Sequence, residues 1–281
     1  MRILFGFLVC DQYELLNKKD WKLITAFKTK YIDLLRKYYY VGGMPEATQE
    51  YVESRDYDEV RKIHEQILFT YEQDFSKHAP TSIVPRIRNI WNSVPAQLSR
   101  ENKKFSPGIV QKGSRIKDYE LALQWLFDCG LLYKVKQVSK PGVPLISYET
   151  DFFKIFINDV GLLSTKSELD VKTLLEGNRI FEEFKGTLTE QYVLQEMISN
   201  GITPFYWSSN GKAEVDFVFK NESDVFPLEV KAEENLQSKS LKVYSEKFNP
   251  IIALRTSMKD YRRESWLINI PLYAIGTDFL N

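Results

Sequence analysis

The sequence predicts an α+β fold in which a helical region up to about residue 165 precedes an α/β domain at residues 171–281. Segments with helical periodicity dominate before residue 130, whereas residues 205–231 contain three consecutive segments with the period-two alternation of strands. At 281 residues the chain exceeds what one small core usually organises. Two domains are therefore expected.

The N-terminal region is predicted to be mainly helical. Apolar residues recur at helical spacing, and Gly, Pro or polar clusters end the periodic segments; Gly42, Gly43 and Pro45 mark one such stop and restart. The predicted helices comprise residues 11–27, 31–40, 57–75, 85–98, 105–112 and 117–129. Residues 3–10 are apolar but too few for a signal peptide, and no small-residue cleavage site follows, so they are predicted to form a strand.

A β-hairpin is predicted after these helices. Residues 131–138 and 144–148 alternate as strands around a Pro-Gly turn at 139–142. Three helices followed by a hairpin are typical of a winged helix, so residues 31–165 are predicted to form a helical and winged-helix domain. An apolar helix at 152–163 is expected to close its core, and the polar stretch 164–177 is a candidate linker.

The second domain is predicted to alternate helices and strands. A long helix at 179–200 precedes the three strands, and Asn210-Gly211 is a typical hairpin turn. The predicted strands are 205–207, 213–219, 226–231, 250–255 and 272–276, with a helix at 235–248.

Composition narrows the classes of function. The chain has no net charge and only two cysteines, Cys10 and Cys129, without metal-ligand spacing, which favours a reducing compartment and a cytoplasmic location. Because the chain has only two histidines, a His-dependent catalytic triad or a multi-histidine metal site is not expected. The sequence contains no run of about eighteen apolar residues, so no membrane span is predicted. The phosphate-loop pattern G-x-x-x-x-G-K-[ST] is absent, so no ATP site is predicted.

Asp216, Glu229 and Lys231 are the predicted catalytic residues. In 213–219 the alternation directs Asp216 away from the apolar face, and in 226–231 it places Glu229 and Lys231 on one side. If the two strands pair, the two carboxylates and the ammonium converge on a single polar surface. Neighbouring carboxylates repel each other unless a cation lies between them. Mg²⁺ is commonly held by one or two carboxylates with water and phosphate oxygens, so Mg²⁺ or Mn²⁺ is the expected cofactor. The alternative interpretation is that Glu229 and Lys231 form an ordinary ion pair on a polar strand face, without a catalytic role.

The order of these elements resembles the restriction-endonuclease-like, or PD-(D/E)XK, nuclease superfamily. That resemblance implies a restriction-endonuclease-like α/β domain in which Asp216 and Glu229 are metal ligands and Lys231 positions water. Glu190, on the preceding helix, matches the acidic residue that many members add. No proline precedes Asp216, and relatives that keep the fold without activity are common.

A second resemblance covers nearly the whole chain from about residue 30. The segments YYYVGGMPEA at 38–47, DFSKHAP at 74–80 and SKPGVPL at 139–145 resemble the C-terminal half of prokaryotic AAA-type ATPases. It implies a winged helix and a domain of unknown function with the nuclease-like core, with residues 1–30 as a remnant strand and helix of an ATPase domain. The chain is then a shortened relative or a fragment, and a separate ATPase domain or another protein is a possible partner.

Basic residues suggest DNA as another partner. Residues 86–140 contain eleven lysines and arginines against four acidic residues. This excess of positive charge would suit binding to a phosphate backbone, and it is equally compatible with an ordinary solvent-exposed surface. In the winged-helix interpretation the contacts are Arg115, Lys117, Lys134, Lys136 and Lys140. Acidic residues on the predicted recognition helix favour protein packing instead. Ser238 and Lys239, near the start of the helix at 235–248, are candidate phosphate ligands.

The expected function is metal-dependent hydrolysis of phosphodiester bonds in DNA. Two alternatives stay open from the sequence: a non-catalytic regulator related to the ATPase family, and a DNA- or protein-binding module without chemistry.

Overall fold

The computed structural model describes residues 16, 18–174, 179–209, 212–233 and 237–276. The strand predicted at 3–10, the turn predicted at Asn210-Gly211 and residues 11–15 and 17 of the first predicted helix lie outside these residues.

The N-terminal half of the described chain is helical up to residue 128, as predicted. Its helices are α1 (Trp21–Ala26), α2 (Lys28–Val41), α3 (Pro45–Ser54), α4 (Tyr57–His78), α5 (Val84–Leu98), α6 (Pro107–Val110) and α7 (Glu120–Asp128). Local chemistry sets where they begin: Pro45 occupies the first turn of α3, and the Asp56 carboxylate accepts the N–H of Asp58 at 2.8 Å at the start of α4.

A mixed eight-stranded sheet follows and confirms the α+β class. Its strands are β1 (Leu132–Val138), β2 (Glu149–Ile157), β3 (Phe205–Ser208), β4 (Glu214–Asn221), β5 (Asp224–Val230), β6 (Ala253–Ser257), β7 (Arg262–Arg263) and β8 (Leu267–Pro271). Their order across the sheet is β2-β1-β3-β4-β5-β6-β8-β7. The meander β3-β4-β5 is antiparallel, and β6 pairs parallel with β5, as the crossover through a helix requires.

Three further helices connect the strands. They are α8 (Val160–Lys166), α9 (Arg179–Ser199) and α10 (Lys239–Phe248). One hydrophobic core joins Leu188 and Tyr192 of α9 to Phe217 of β4, and a second joins Tyr244 of α10 to Val218 of the same strand. Because adjacent residues of β4 pack into different cores, α9 and α10 cover opposite faces of the sheet.

Three predicted elements were wrong. Residues 145–148 form a 3₁₀ helix, and the predicted helix at 152–163 is instead β2 followed by α8. The predicted last strand at 272–276 contains a 3₁₀ helix, Leu272–Ala274, and the strand lies earlier, at β8. The apolar run of β2 is buried on both faces, so it lacks the alternation that separates a strand from a helix.

The predicted wing hairpin belongs to the central sheet. Lys136 to Val138 of β1 pair in parallel with Phe205 to Trp207 of β3, so β1 and β2 extend the meander instead of forming a separate wing. The sheet therefore crosses the predicted boundary between residues 165 and 171. The division into two domains stays a prediction.

The Gly42-Gly43 stop is explained by a buried aspartate. Asp159, which is 2% exposed, accepts the N–H of Gly43 at 2.7 Å through Oδ2. Its Oδ1 accepts the N–H groups of Gly161 at 2.8 Å and Leu162 at 3.1 Å, which begin α8. Gly42 lies in the left-handed region with φ +67°. The carboxylate thus joins the end of α2 to the start of α8 and satisfies N–H groups of both.

Candidate functional site

The candidate site forms where β4 and β5 separate. Their ladder runs from the pair Asn221–Asp224 to the pair Phe217–Leu228. Asp216 and Glu229 are the next residues beyond that pair on the two strands. Asp216 Oδ2 accepts the N–H of Val230 at 2.8 Å. This hydrogen bond brings the Asp216 carboxylate to the end of β5, where the predicted Glu-x-Lys triplet lies.

A bulge in β4 determines the direction of Asp216. The register between β3 and β4 shifts between the pairs Phe205–Val218 and Trp207–Val215. Val215 and Val218 both pack in the core on the α10 side, whereas Phe217 packs on the α9 side. An extra residue of this kind redirects side chains and is common beside active sites. The simple alternation predicted for 213–219 is therefore wrong, because β4 is buried on both faces and interrupted by the bulge.

Glu190 of α9 provides the second carboxylate. Its Oε1 accepts a hydrogen bond from Lys103 Nζ, and its Oε2 is buried without a hydrogen-bond partner among the described residues. Burial raises the pKa of Glu190, but the charges of Lys103 and Lys154 outweigh burial, so the pKa lies below its usual value. The charge of Lys231 acts in the same direction. Glu190 is thus an ionised carboxylate with one oxygen unused.

The negative charges of Asp216 and Glu190 repel each other. Burial and then the negative charge of Glu190 raise the pKa of Asp216 to about 7, and the charge of Lys154 only partly offsets them. Asp216 therefore keeps its proton to a higher pH than an ordinary aspartate does. A bound cation would remove this conflict.

Glu229 and Lys231 form a second pair at the end of β5. Glu229 is 4% exposed, and its Oε1 lies 3.0 Å from Lys231 Nζ. Leu228 and Val230 pack in the core on the α9 side, so Glu229 between them is directed to the other face. Its charge raises the pKa of Arg255, its neighbour on β6, against the larger lowering by burial. The predicted residues thus form two adjoining groups, with Asp216 and Glu190 on one side of β5 and Glu229 on the other.

Lys154 and Glu214 complete the cluster and were missed from the sequence. Lys154 of β2 is 1% exposed; its Nζ lies 2.6 Å from Glu214 Oε1 and 4.8 Å from the centre of the Tyr206 ring. Burial lowers the pKa of Lys154, but the charges of Glu190, Glu214 and Asp216 outweigh it and hold the pKa above its usual value. One signal was available, since a lone lysine within the apolar run FFKIFI requires a buried partner.

The donor set suits a single divalent cation better than a cage of protein ligands. Across the described ranges, no group of three or more His, Cys, Asp or Glu side chains is arranged to hold a metal ion. Asp216 and Glu190 nevertheless repel each other, and Glu190 Oε2 is a buried acceptor left unused. Two carboxylates with water and substrate oxygens are a common Mg²⁺ environment. Glu229, the predicted third ligand, also has a buried oxygen, Oε2, that lacks a hydrogen-bond partner within the described part of the chain.

Two of the predicted nucleic-acid contacts line a groove elsewhere on the chain. The groove has a volume of about 850 Å³ and is lined by α7, β1 and β2, including Lys134 and Lys136. Lys136 is paired with Glu149, and acidic residues share the groove wall. The remaining predicted residues lie close to it in sequence or engage neighbours: the Arg115 N–H donates to Asp118, Lys140 Nζ lies over the Tyr148 ring, and Lys117 is exposed in a 3₁₀ helix.

Ser238 and Lys239 lie at the start of α10. Ser238 Oγ accepts a hydrogen bond from Arg255 Nη1 at 3.1 Å, and Lys239 is the first helical residue. Because Arg255 also neighbours Glu229, this end of α10 adjoins the Glu229 side of the cluster.

Comparison with protein families divides the chain close to the predicted linker. Residues 32–173, half of the chain, match a domain of unknown function, DUF8612. The chain belongs to the DUF8612 family. Residues 185–274 match a second domain of unknown function, DUF4143, which is found at the C-termini of AAA-ATPase-associated proteins. No curated protein and no solved structure matches the chain. None of the described helices is long and apolar enough to cross a membrane.

The charged cluster draws residues from both families. Lys103 and Lys154 belong to the DUF8612 region, and Glu190, Glu214, Asp216, Glu229 and Lys231 belong to the DUF4143 region. Four carboxylates thus meet three lysines, of which two come from the preceding region. All four carboxylates lie in the DUF4143 segment, and the DUF8612 segment contributes two of the three lysines that pair with them.

Proposed function

We propose that this DUF8612 family member hydrolyses phosphodiester bonds in DNA with Mg²⁺ or Mn²⁺ as cofactor. The proposal is supported above all by one observation: the charge of Glu190 acts on the Asp216 carboxylate, and Glu190 Oε2 is buried without a hydrogen-bond partner among the described residues. Perturbed titratable groups of this kind concentrate at functional sites. The resemblance to PD-(D/E)XK nucleases gives the reaction class.

The roles of the residues follow from their surroundings. Asp216 and Glu190 would hold the ion, with the carbonyl of Val230 completing the set. Glu229, the third ligand that the resemblance implies, is directed to the other side of β5. The ion would lower the pKa of a bound water and stabilise charge on the phosphoryl group. Glu229 holds the Lys231 ammonium at 3.0 Å. The side chain of Lys231 is 33% exposed, so it can orient water or meet a substrate phosphate.

A non-catalytic role is the second candidate. Lys103, Lys154 and Lys231 already pair with the carboxylates of the cluster. A buried charge network of this kind can serve structure alone, and a fold can lose its chemistry. In that case the region would act as a docking surface for a protein, including an ATPase.

A plasmid-nicking assay tests the proposal. We expect the purified protein to convert supercoiled plasmid to open circles with Mn²⁺ or Mg²⁺, and EDTA to abolish the reaction. DNA binding without chemistry predicts retention of the plasmid without metal, with a steep decrease as salt increases. A docking role predicts neither cleavage nor retention.

A further inference from the structure

We propose that Lys103 is a built-in counter-ion of the site, through which the DUF8612 region holds Glu190 in place of a metal cation. The pairing itself is independent of the proposed function. Competition between Lys103 and a divalent cation rests on that function.

The pair is desolvated on both sides. Lys103 is 8% exposed as a residue, and the side chains of Lys103 and Glu190 are 10% and 13% exposed. The charges of Lys154 and Lys231 act on Glu190, and the charge of Lys103 acts on Asp216. Lys154 and Lys231 are themselves paired with Glu214 and Glu229. A buried carboxylate that loses its partner is strongly unfavourable. The ammonium of Lys103 therefore stabilises an arrangement of acids that would otherwise repel one another.

The backbone places Lys103 at the site. The N–H of Phe105 donates to the carbonyl of Phe153 at 2.8 Å, and the two rings stack with centroids 5.3 Å apart. Lys104 forms an isolated bridge with Lys154. These contacts fix the loop after α5 along the outer edge of β2.

The loop is also joined to α9 close to Glu190. Thr187 Oγ1 donates to the carbonyl of Leu98 at 2.9 Å. Thr187 precedes Glu190 by three residues, almost one helical turn. Lys103 thus reaches Glu190 from a segment anchored on both sides.

Lys103 can be displaced more easily than Lys154. Lys154 lies within β2, paired with Val135 of β1, and its side chain is covered on all sides. Lys103 follows the exposed residues Arg100, Glu101 and Asn102, so its side chain can turn outward without breaking a strand pair. A cation that enters beside Glu190 therefore takes the place of the Lys103 ammonium.

A mutant cycle tests the pairing without metal. We expect Lys103→Met to lower the melting temperature by about 10 °C, because it leaves Glu190 charged and unpaired. Glu190→Gln in the Lys103→Met background should restore at least half of that loss. The matched control is Lys104→Met, which removes a neighbouring, more exposed lysine and should change the melting temperature by about 2 °C or less.

Two results would overturn the pairing. One is an equal decrease in the melting temperatures of Lys103→Met and Lys104→Met. The other is a double variant that is no more stable than Lys103→Met, or that does not fold, because Lys103 would then act on something other than Glu190.

Addition of Mn²⁺ tests the competition. We expect saturating Mn²⁺ to raise the melting temperature of Lys103→Met by about 5 °C more than that of the wild type, because the ion replaces the missing ammonium. Equal shifts in both proteins contradict competition. If Mn²⁺ shifts neither protein while the mutant cycle shows coupling, the metal function fails and Lys103 remains the counter-ion of Glu190.

Discussion

Replacing Lys231 by alanine should lower the rate of Mn²⁺-dependent plasmid nicking at least about 100-fold. Its ammonium lies 3.0 Å from Glu229 Oε1 and is the most exposed of the three lysines in the cluster, with a side chain 33% exposed against 10% for Lys103 and 1% for Lys154. Lys231 is therefore the cation of the cluster best placed to meet a phosphate or an attacking water.

Asp216→Asn should cause a loss of similar size. The amide has the shape of the carboxylate and keeps an oxygen for the Val230 N–H, but it removes the charge that would bind the ion. Lys220→Ala is the matched control, since Lys220 lies on the same strand, exposed, at the far end of the β4–β5 ladder. Nicking that persists at the wild-type rate in both site variants, with circular dichroism unchanged, would assign the activity to a contaminant or another site.

Gly42→Ala should destabilise the fold by about 3 kcal/mol or more, a loss typical of substitutions that disrupt a buried hydrogen-bond network. A Cβ at this position would lie 2.1 Å from Asp159 Oδ1, and the backbone there has φ +67°. The Asp159 carboxylate cannot yield without weakening its hydrogen bonds to Gly43 and Gly161. Both the end of α2 and the start of α8 would be disturbed.

Gly130→Ala is the matched control for this substitution. Gly130 has the same φ of +67°, but no atom lies within 4 Å of the Cβ position. Gly130→Ala should therefore lower the free energy of unfolding by only about 1 kcal/mol, the cost of placing alanine in the left-handed region. Urea denaturation of both variants measures the difference. Equal losses would show that the contact with Asp159 has no energetic role.

The meander and its acidic residues were predictable because they depend on local pattern. The helix before the meander, the three strands and the helix after them lie close to their predicted positions. Asp216 and the Glu-x-Lys triplet were expected to meet because consecutive antiparallel strands bring such residues together. Their division between two faces was not predictable, since the β4 bulge depends on packing against both α9 and α10.

The other half of the site was hidden because it depends on contacts distant in sequence. Lys103 reads as one of several lysines in a polar loop, and its partner lies 87 residues later. Lys154 lies in a segment predicted to be helical, which concealed its position in the sheet. Sequence periodicity carries no information about such pairings, whereas the fold sets them by placing β2 and the loop after α5 beside α9.

Calorimetric titration of the metal-free protein with Mn²⁺ tests the proposed metal site most directly. We expect one Mn²⁺ per chain, with affinity at least about 10-fold weaker in Asp216→Asn and in Glu190→Gln, because each variant removes one of two carboxylate ligands. The Lys220→Ala control should bind as the wild type does. A protein that binds no Mn²⁺, or that binds it equally well after both substitutions, would contradict the assignment of Asp216 and Glu190 as the metal site.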